Sequence, residues 1–109
     1  MTTSSDIVVI CSTAPAAESD MIARHLVEQR IVACVNILPV RSYYRWKGEF
    51  CDDAEHLMVM KTAREKSRQA IAEIKKIHPY ELPEVIVLPV TAGYPPYLNW
   101  VREETEGPC

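Results

Sequence analysis

Hydrophobic positions divide the chain into segments of clear period. Ile7-Val8-Val9-Ile10-Cys11 is an unbroken, mostly β-branched run, the pattern of a strand covered on both faces or central in a sheet. Ser12 and Thr13 can cap a helix, and Pro15 suits its first turn. Ile22, Ala23, Leu26 and Val27 then recur at helical spacing as one apolar stripe, with His25 beside it. Val32 to Leu38 predicts a second strand, which Pro39 interrupts as an edge position or a bulge would. The strand pattern resumes in Ser42-Tyr43-Tyr44-Arg45-Trp46, and Lys47-Gly48-Glu49 signals a tight turn. A third strand follows, clearest from Glu55 to Lys61, with apolar residues on both parities. Thr62-Ala63-Arg64-Glu65 fits a capping box. Ser67, Ala70, Ile71, Ile74 and Ile77 give the inward face of a second long helix, with Lys75 and Lys76 in its last turn, where they favour the helix dipole.

Pro79 biases His78 out of the helical region, so the helix should end there. Ile77-His78-Pro79-Tyr80-Glu81-Leu82-Pro83-Glu84 then holds an imidazole and two carboxylates on stiff, extended chain. A fourth strand runs from Val85 through Val90, and Gly93 breaks it. Pro95-Pro96 starts a short C-terminal helix carrying Tyr97, Leu98, Trp100 and Val101, and the tail from Glu103 to Cys109 looks frayed. The order β-α-β-β-α-β plus a terminal helix predicts an α+β, ferredoxin-like fold: two helices on one face of an antiparallel sheet of order 4-1-3-2. In that topology the end of the first strand, at Cys11, lies beside the start of the fourth, just after His78 to Glu84. A thiol and an imidazole–carboxylate cluster far apart in sequence thus converge at one end of the sheet. They form either a ligand site or structural residues, Cys11 in a strand and His78 closing a helix.

Residues 32–61 make a hairpin longer than its neighbours can flank. Its far end holds Tyr43, Tyr44, Trp46 and Phe50, half of the chain's aromatic residues. An uncovered aromatic ribbon invites pairing with another chain. A closed oligomer would cover each hairpin with a neighbour; the C-terminal helix folding back within one subunit would do the same.

Composition narrows the function classes. With 109 residues, 48% hydrophobic and 25% charged, the chain suits one domain over residues 1–109 with its core about 6–104. The net charge of −3 and the absence of a basic run argue against a nucleic-acid surface. No apolar run reaches the length of a membrane helix, and the first residues lack the positive charge of a secretory signal. Cys11, Cys34, Cys51 and Cys109 form no CxxC pair. Free thiols without an export signal read as cytoplasmic. No Ser-His-Asp order, HExxH, glycine-rich phosphate loop or paired-carboxylate motif speaks for an enzyme. An inter-subunit hydrolase or isomerase would have to use His78 as acid or base with Glu81.

Arg24-His25-Leu26-Val27-Glu28, Ala33-Cys34-Val35-Asn36, Ser42-Tyr43-Tyr44-Arg45-Trp46-Lys47-Gly48, Lys61-Thr62, His78-Pro79-Tyr80-Glu81-Leu82-Pro83-Glu84 and Tyr97-Leu98-Asn99-Trp100 stand in one order and spacing. Together, from about Ile7 to Val101, they resemble the CutA divalent-cation tolerance proteins. The resemblance implies a ferredoxin-like subunit related to the PII signalling proteins. It also implies a homotrimer and a cytoplasmic, non-enzymatic protein linked to tolerance of copper and other divalent metals. Some bacterial members have copper ligands assigned to a cysteine ending the first strand and to two adjacent histidines before Pro-Tyr. Carried over by position, these imply Cys11 and His78, while Ile77 stands where the pattern has the other histidine. Glu81, Glu84 or a neighbouring subunit would complete the shell around Cu(II), Cu(I) or Zn(II). No organic cofactor is implied. The alternative is a PII-like module whose trimer clefts bind a small effector or a partner protein, with metal effects indirect.

Overall fold

Along residues 6–106, which the computed structural model describes, the elements are β1 (Ile7–Ala14), α1 (Ala16–Glu28), β2 (Cys34–Trp46), β3 (Glu49–Ala63), α2 (Ser67–Ile77), β4 (Ile86–Pro89) and α3 (Pro95–Glu104). A 3-10 turn over Arg64–Lys66 leads into α2. The strands form one antiparallel sheet in the order β2-β3-β1-β4, the expected order read from the other edge. Pro39 lies in the edge strand β2, which runs unbroken past it in register with His56. An edge strand tolerates the missing donor, because one side of it has no partner strand.

The core lies between the sheet and the two long helices. Ile22 and Leu26 of α1 and Ala70 and Ile74 of α2 pack against Val8 and Ile10 of β1 and Met58 and Met60 of β3. Each fully buried Ile, Leu or Met side chain there contributes about 1.5–3 kcal/mol. Two residues expected in the inward stripes, Val27 and Ile71, are exposed. On a helix with 100° per residue, each sits well off the centre of the buried stripe of its own helix. His25 sits at that boundary and meets Glu73 of α2, Nε2 to Oε2 at 2.6 Å.

Three expected helix signals resolve differently. Ser12 and Thr13 do not cap α1; they stay in β1, opposite Met58 and Thr13's partner Leu57, and Pro15 itself takes the cap position. The ladder to a long β3 outcompetes local capping. Thr62 does not cap α2 either: its buried hydroxyl donates to the Ile31 carbonyl at 2.6 Å, and β3 continues to Ala63. The tail is not frayed from Glu103, since Glu103 and Glu104 are helical and Thr105 is buried, its hydroxyl donating to the Val101 carbonyl at 3.0 Å. Arg30 clasps this end, Nε and Nη2 donating to the Glu104 and Glu103 carbonyls at 3.1 and 3.0 Å. Gly107, Pro108 and Cys109, the rest of that expectation, lie outside the described residues.

The opposite end of the sheet is set by the hairpin. Lys47 (φ 50°) and Gly48 (φ 81°) make the two-residue turn with both central residues left-handed, the type that matches strand twist. β1 stops at Ala14 opposite His56, so among the described residues the ribbon from Val40 to Trp46 and from Glu49 to Glu55 pairs only with itself. On the sheet face away from α1 and α2, α3 covers one end, with Val101 fully buried. Beyond it the cross-strand row Val59–Cys11–Ile86 and the neighbouring Leu57 and Leu38 remain half-buried or exposed.

Candidate functional site

Helix α2 ends where Pro79 demands it, and His78 is the first extended residue (φ −77°, ψ 140°). Its ring is buried at 8% exposure. Nε2 meets the Thr13 carbonyl at 2.7 Å, and the Tyr80 backbone N–H donates to Nδ1 at 3.0 Å. A carbonyl only accepts and an amide N–H only donates, so Nε2 carries the hydrogen and Nδ1 the accepting lone pair. Both ring nitrogens are thereby committed, and the ring stacks obliquely on Tyr80 with centroids 4.8 Å apart.

The other expected ligands are dispersed. Cys11 is half-buried in β1, opposite Ile86 of β4, three residues before the strand ends rather than at its end. It shares a sheet face with Thr13, whose backbone carbonyl holds His78. Glu81 and Glu84 are exposed on the loop of residues 78–84, and Glu81 reaches the hairpin tip, 3.5 Å from Lys47 Nζ. Among the described residues no three His, Cys, Asp or Glu side chains come together as a metal shell. Cys11, Cys34 and Cys51 are free.

The structure instead builds a cleft of about 650 Å³ between the ribbon and the loop of residues 78–84. Strand alternation places Ser42, Tyr44 and Trp46 of β2 and Asp53 and Glu55 of β3 on one ribbon face. Ser42, Tyr44, Trp46 and Glu55 form one wall, Tyr80, Glu81 and Glu84 the other, and Thr13 lies between them. Glu55 is buried at 6% exposure, and its Oε2 accepts from the Tyr80 hydroxyl at 2.7 Å. The Tyr44 hydroxyl donates to Asp53. Burial first, then the bond to Glu55, pushes the Tyr80 phenol above its ordinary value; the bond to Asp53 does most to raise that of Tyr44.

Of the four residues expected at a subunit contact, Tyr44 and Trp46 thus face the cleft. Tyr43 and Phe50 stack on the other ribbon face, centroids 6.1 Å apart, and are largely exposed. On that face Arg41 forms two hydrogen bonds to Asp52, both 2.9 Å, lowering the Asp52 carboxyl below its ordinary range. The sequence gives no local sign of Glu55 as a site residue. Its partner Tyr80 is remote in the chain, and only the strand order, which brings the outer part of β3 under the loop after α2, could have found the pair.

The sequence profile of the CutA1 divalent ion tolerance protein matches residues 7–104. The chain belongs to that family. It is 42% identical over 99 residues to the divalent-cation tolerance protein CutA of Thermus thermophilus, covering 89% of this chain and 96% of that protein. It is 48% identical over 86 residues to the protein CutA of Mus musculus, covering 78% of this chain but only 49% of that one. The chain thus spans about half the length of the mammalian CutA and nearly all of the bacterial one. A solved PII-like protein CutA from a Nostoc species, in apo form, superimposes with a TM-score of 0.87 at 40% identity, covering 91% of this chain and 97% of that one. The ferredoxin-like, PII-related architecture is therefore that of a CutA subunit. No helix among the described residues is long and apolar enough to cross a membrane.

Proposed function

We propose that this CutA family member is a non-enzymatic, homotrimeric, cytoplasmic protein of divalent-cation tolerance, responding to metal through the loop of residues 78–84. The observation that carries the assembly is the bare apolar sheet face around Val59, Cys11 and Ile86, continuous with a ribbon that pairs only with itself. Three copies arranged around that face would cover it and flank each ribbon with a neighbour. Tyr43 and Phe50, exposed on the ribbon face away from the cleft, supply the contacts at the ribbon end, joined by the exposed edges of Tyr44 and Trp46 at the cleft rim.

The metal reading takes Cys11 and His78, with Glu81 and Glu84 as weaker oxygen donors, toward Cu(I), Cu(II) or Zn(II). A thiolate suits Cu(I) and an imidazole suits Cu(II) or zinc. Within one subunit these residues do not fit a metal shell, because His78 spends both ring nitrogens on hydrogen bonds within the protein. Direct binding would have to release Thr13 or Tyr80 and draw donors from a neighbouring subunit. The second reading, a PII-like module binding a small effector with metal effects indirect, is favoured by that same commitment of His78 and by the cleft beside it.

The test is a calorimetric titration of reduced, metal-stripped protein with Cu(II), Zn(II) and, anaerobically, Cu(I), alongside Cys11→Ala and His78→Ala. Native mass spectrometry of each sample follows assembly. Saturable binding near one ion per subunit, lost in either variant of an intact trimer, would establish the direct site. Equal weak binding in all three proteins would leave the effector reading. A wild-type monomer at micromolar concentration would overturn the proposed assembly.

A further inference from the structure

We propose that the cleft between the ribbon and the loop of residues 78–84 binds an organic ammonium, with the Glu55 carboxylate as counter-ion and the rings of Tyr44, Trp46 and Tyr80 as walls. This deepens the effector reading and rests on it. The first argument is charge. Glu55 is buried, and among the described residues the one hydrogen-bond partner of its carboxylate is a phenol. None of the ion pairs among the described residues includes it. A carboxylate taken out of water without a counter-charge is costly, so the position favours an incoming cation. Asp53, two residues away on the same ribbon face, is likewise held by a phenol and is in none of those ion pairs.

The second argument is what the walls are made of. Glu55, Glu81 and Glu84 bring three carboxylates to the cleft, and the one cationic residue on its lining is Arg45. Strand alternation assigns the Arg45 side chain to the opposite ribbon face, across from Phe50. Beside the neutral Thr13, Ser42, Pro79 and Leu82, the lining carries the rings of Tyr44, Trp46 and Tyr80, and aromatic faces attract cations that keep a hydrocarbon surface. A cleft of about 650 Å³ exceeds what a single metal ion fills.

The third argument is that the protein already holds an ammonium this way. Lys47 Nζ lies 5.5 Å from the Trp46 ring centroid and 3.5 Å from Glu81 Oε1. At the mouth of the cleft, a primary ammonium sits on an indole face beside a carboxylate. Glu55 with Tyr80 and Tyr44 repeats that combination further in, where no side-chain cation of the described residues pairs with it. A ligand with two ammonium groups could use the inner seat and displace Lys47 from the outer one.

The probe is 1,4-diaminobutane, titrated calorimetrically into the full chain at low ionic strength, with 1,4-butanediol as the uncharged control and Mg²⁺ as a competitor. Saturable binding of one diamine per subunit is expected, with none for the diol. Glu55→Gln should weaken binding by more than about tenfold, since it removes the buried counter-ion. Lys47→Asn suits the left-handed turn and leaves the core untouched; it should tighten binding about two- to fivefold by removing the resident ammonium. No saturable heat in wild type and Lys47→Asn, equal affinity in folded Glu55→Gln, or displacement by millimolar Mg²⁺ would overturn the proposal. The described residues that form the cleft come from one chain, so its result is read whatever native mass spectrometry finds. A trimer that ignores the diamine sinks this inference and leaves the assembly standing, whereas a monomer sinks the assembly alone.

Discussion

At the residue scale, one side chain stands out in the core. Ser12 is fully buried on the helix-facing side of β1, and its hydroxyl has no hydrogen-bond partner among the described residues. A buried, unpaired hydroxyl costs on the order of 1–3 kcal/mol. Ser12→Ala is therefore expected to raise stability by about 1 kcal/mol in urea unfolding, net of a small packing loss; a destabilisation of that size would show that the hydroxyl is satisfied after all. The tyrosines give a second expectation. Tyr44, Tyr80 and Tyr97 all have phenols raised above the ordinary value, Tyr97 through burial and then its contact with Cys34. Folding favours their protonated forms. That contribution is fully present below about pH 10, the unfolded value, and fades as pH rises through the higher folded values. Ultraviolet titration should show these three of the five tyrosines ionising late, and Tyr80→Phe should remove one from the late group. None of this was legible in the sequence, since each partner is set by strand register or by contacts between elements remote in the chain.

At the element scale, the hairpin turn is the most exposed to a single change. Gly48 has φ +81° and nothing within 4 Å of where a Cβ would stand. Gly48→Ala should thus act through backbone strain alone, at about 1–2 kcal/mol, read as a lower urea midpoint with an unchanged m-value. This turn was plain from Lys47-Gly48-Glu49, because its chemistry is local. So were the apolar run of β1, the buried stripe of α2 and the helix end forced by Pro79. The misread boundaries share one cause. Ser12, Thr13 and Thr62 are good caps by type, but β3 is long enough to keep their backbones in ladders. Local preference lost to a partner strand that begins well before the apolar run that announced it. The candidate site was legible only in part: the loop of residues 78–84 was visible, whereas Glu55, Asp53 and the commitment of both His78 nitrogens depend on tertiary contacts.

At the scale of the whole molecule, the ribbon is a lever for the proposed assembly. Trp46→Ala should weaken the trimer by about 2 kcal/mol or more, as aromatic anchors at subunit contacts do, while far-UV circular dichroism keeps the subunit signature. Sedimentation velocity over a dilution series reads the first effect, and an unchanged trimer would place Trp46 wholly in the cleft. The Asp6–Arg102 ion pair, Oδ2 to Nη2 at 2.8 Å, carries a different consequence. It ties the start of β1 to the last turn of α3, at the pole of the sheet opposite the hairpin tip. Asp6 and the last turn of α3 thus stand side by side at that one pole, away from the cleft. A circular permutant closed there by a short linker and opened at the hairpin tip would keep every strand pairing intact.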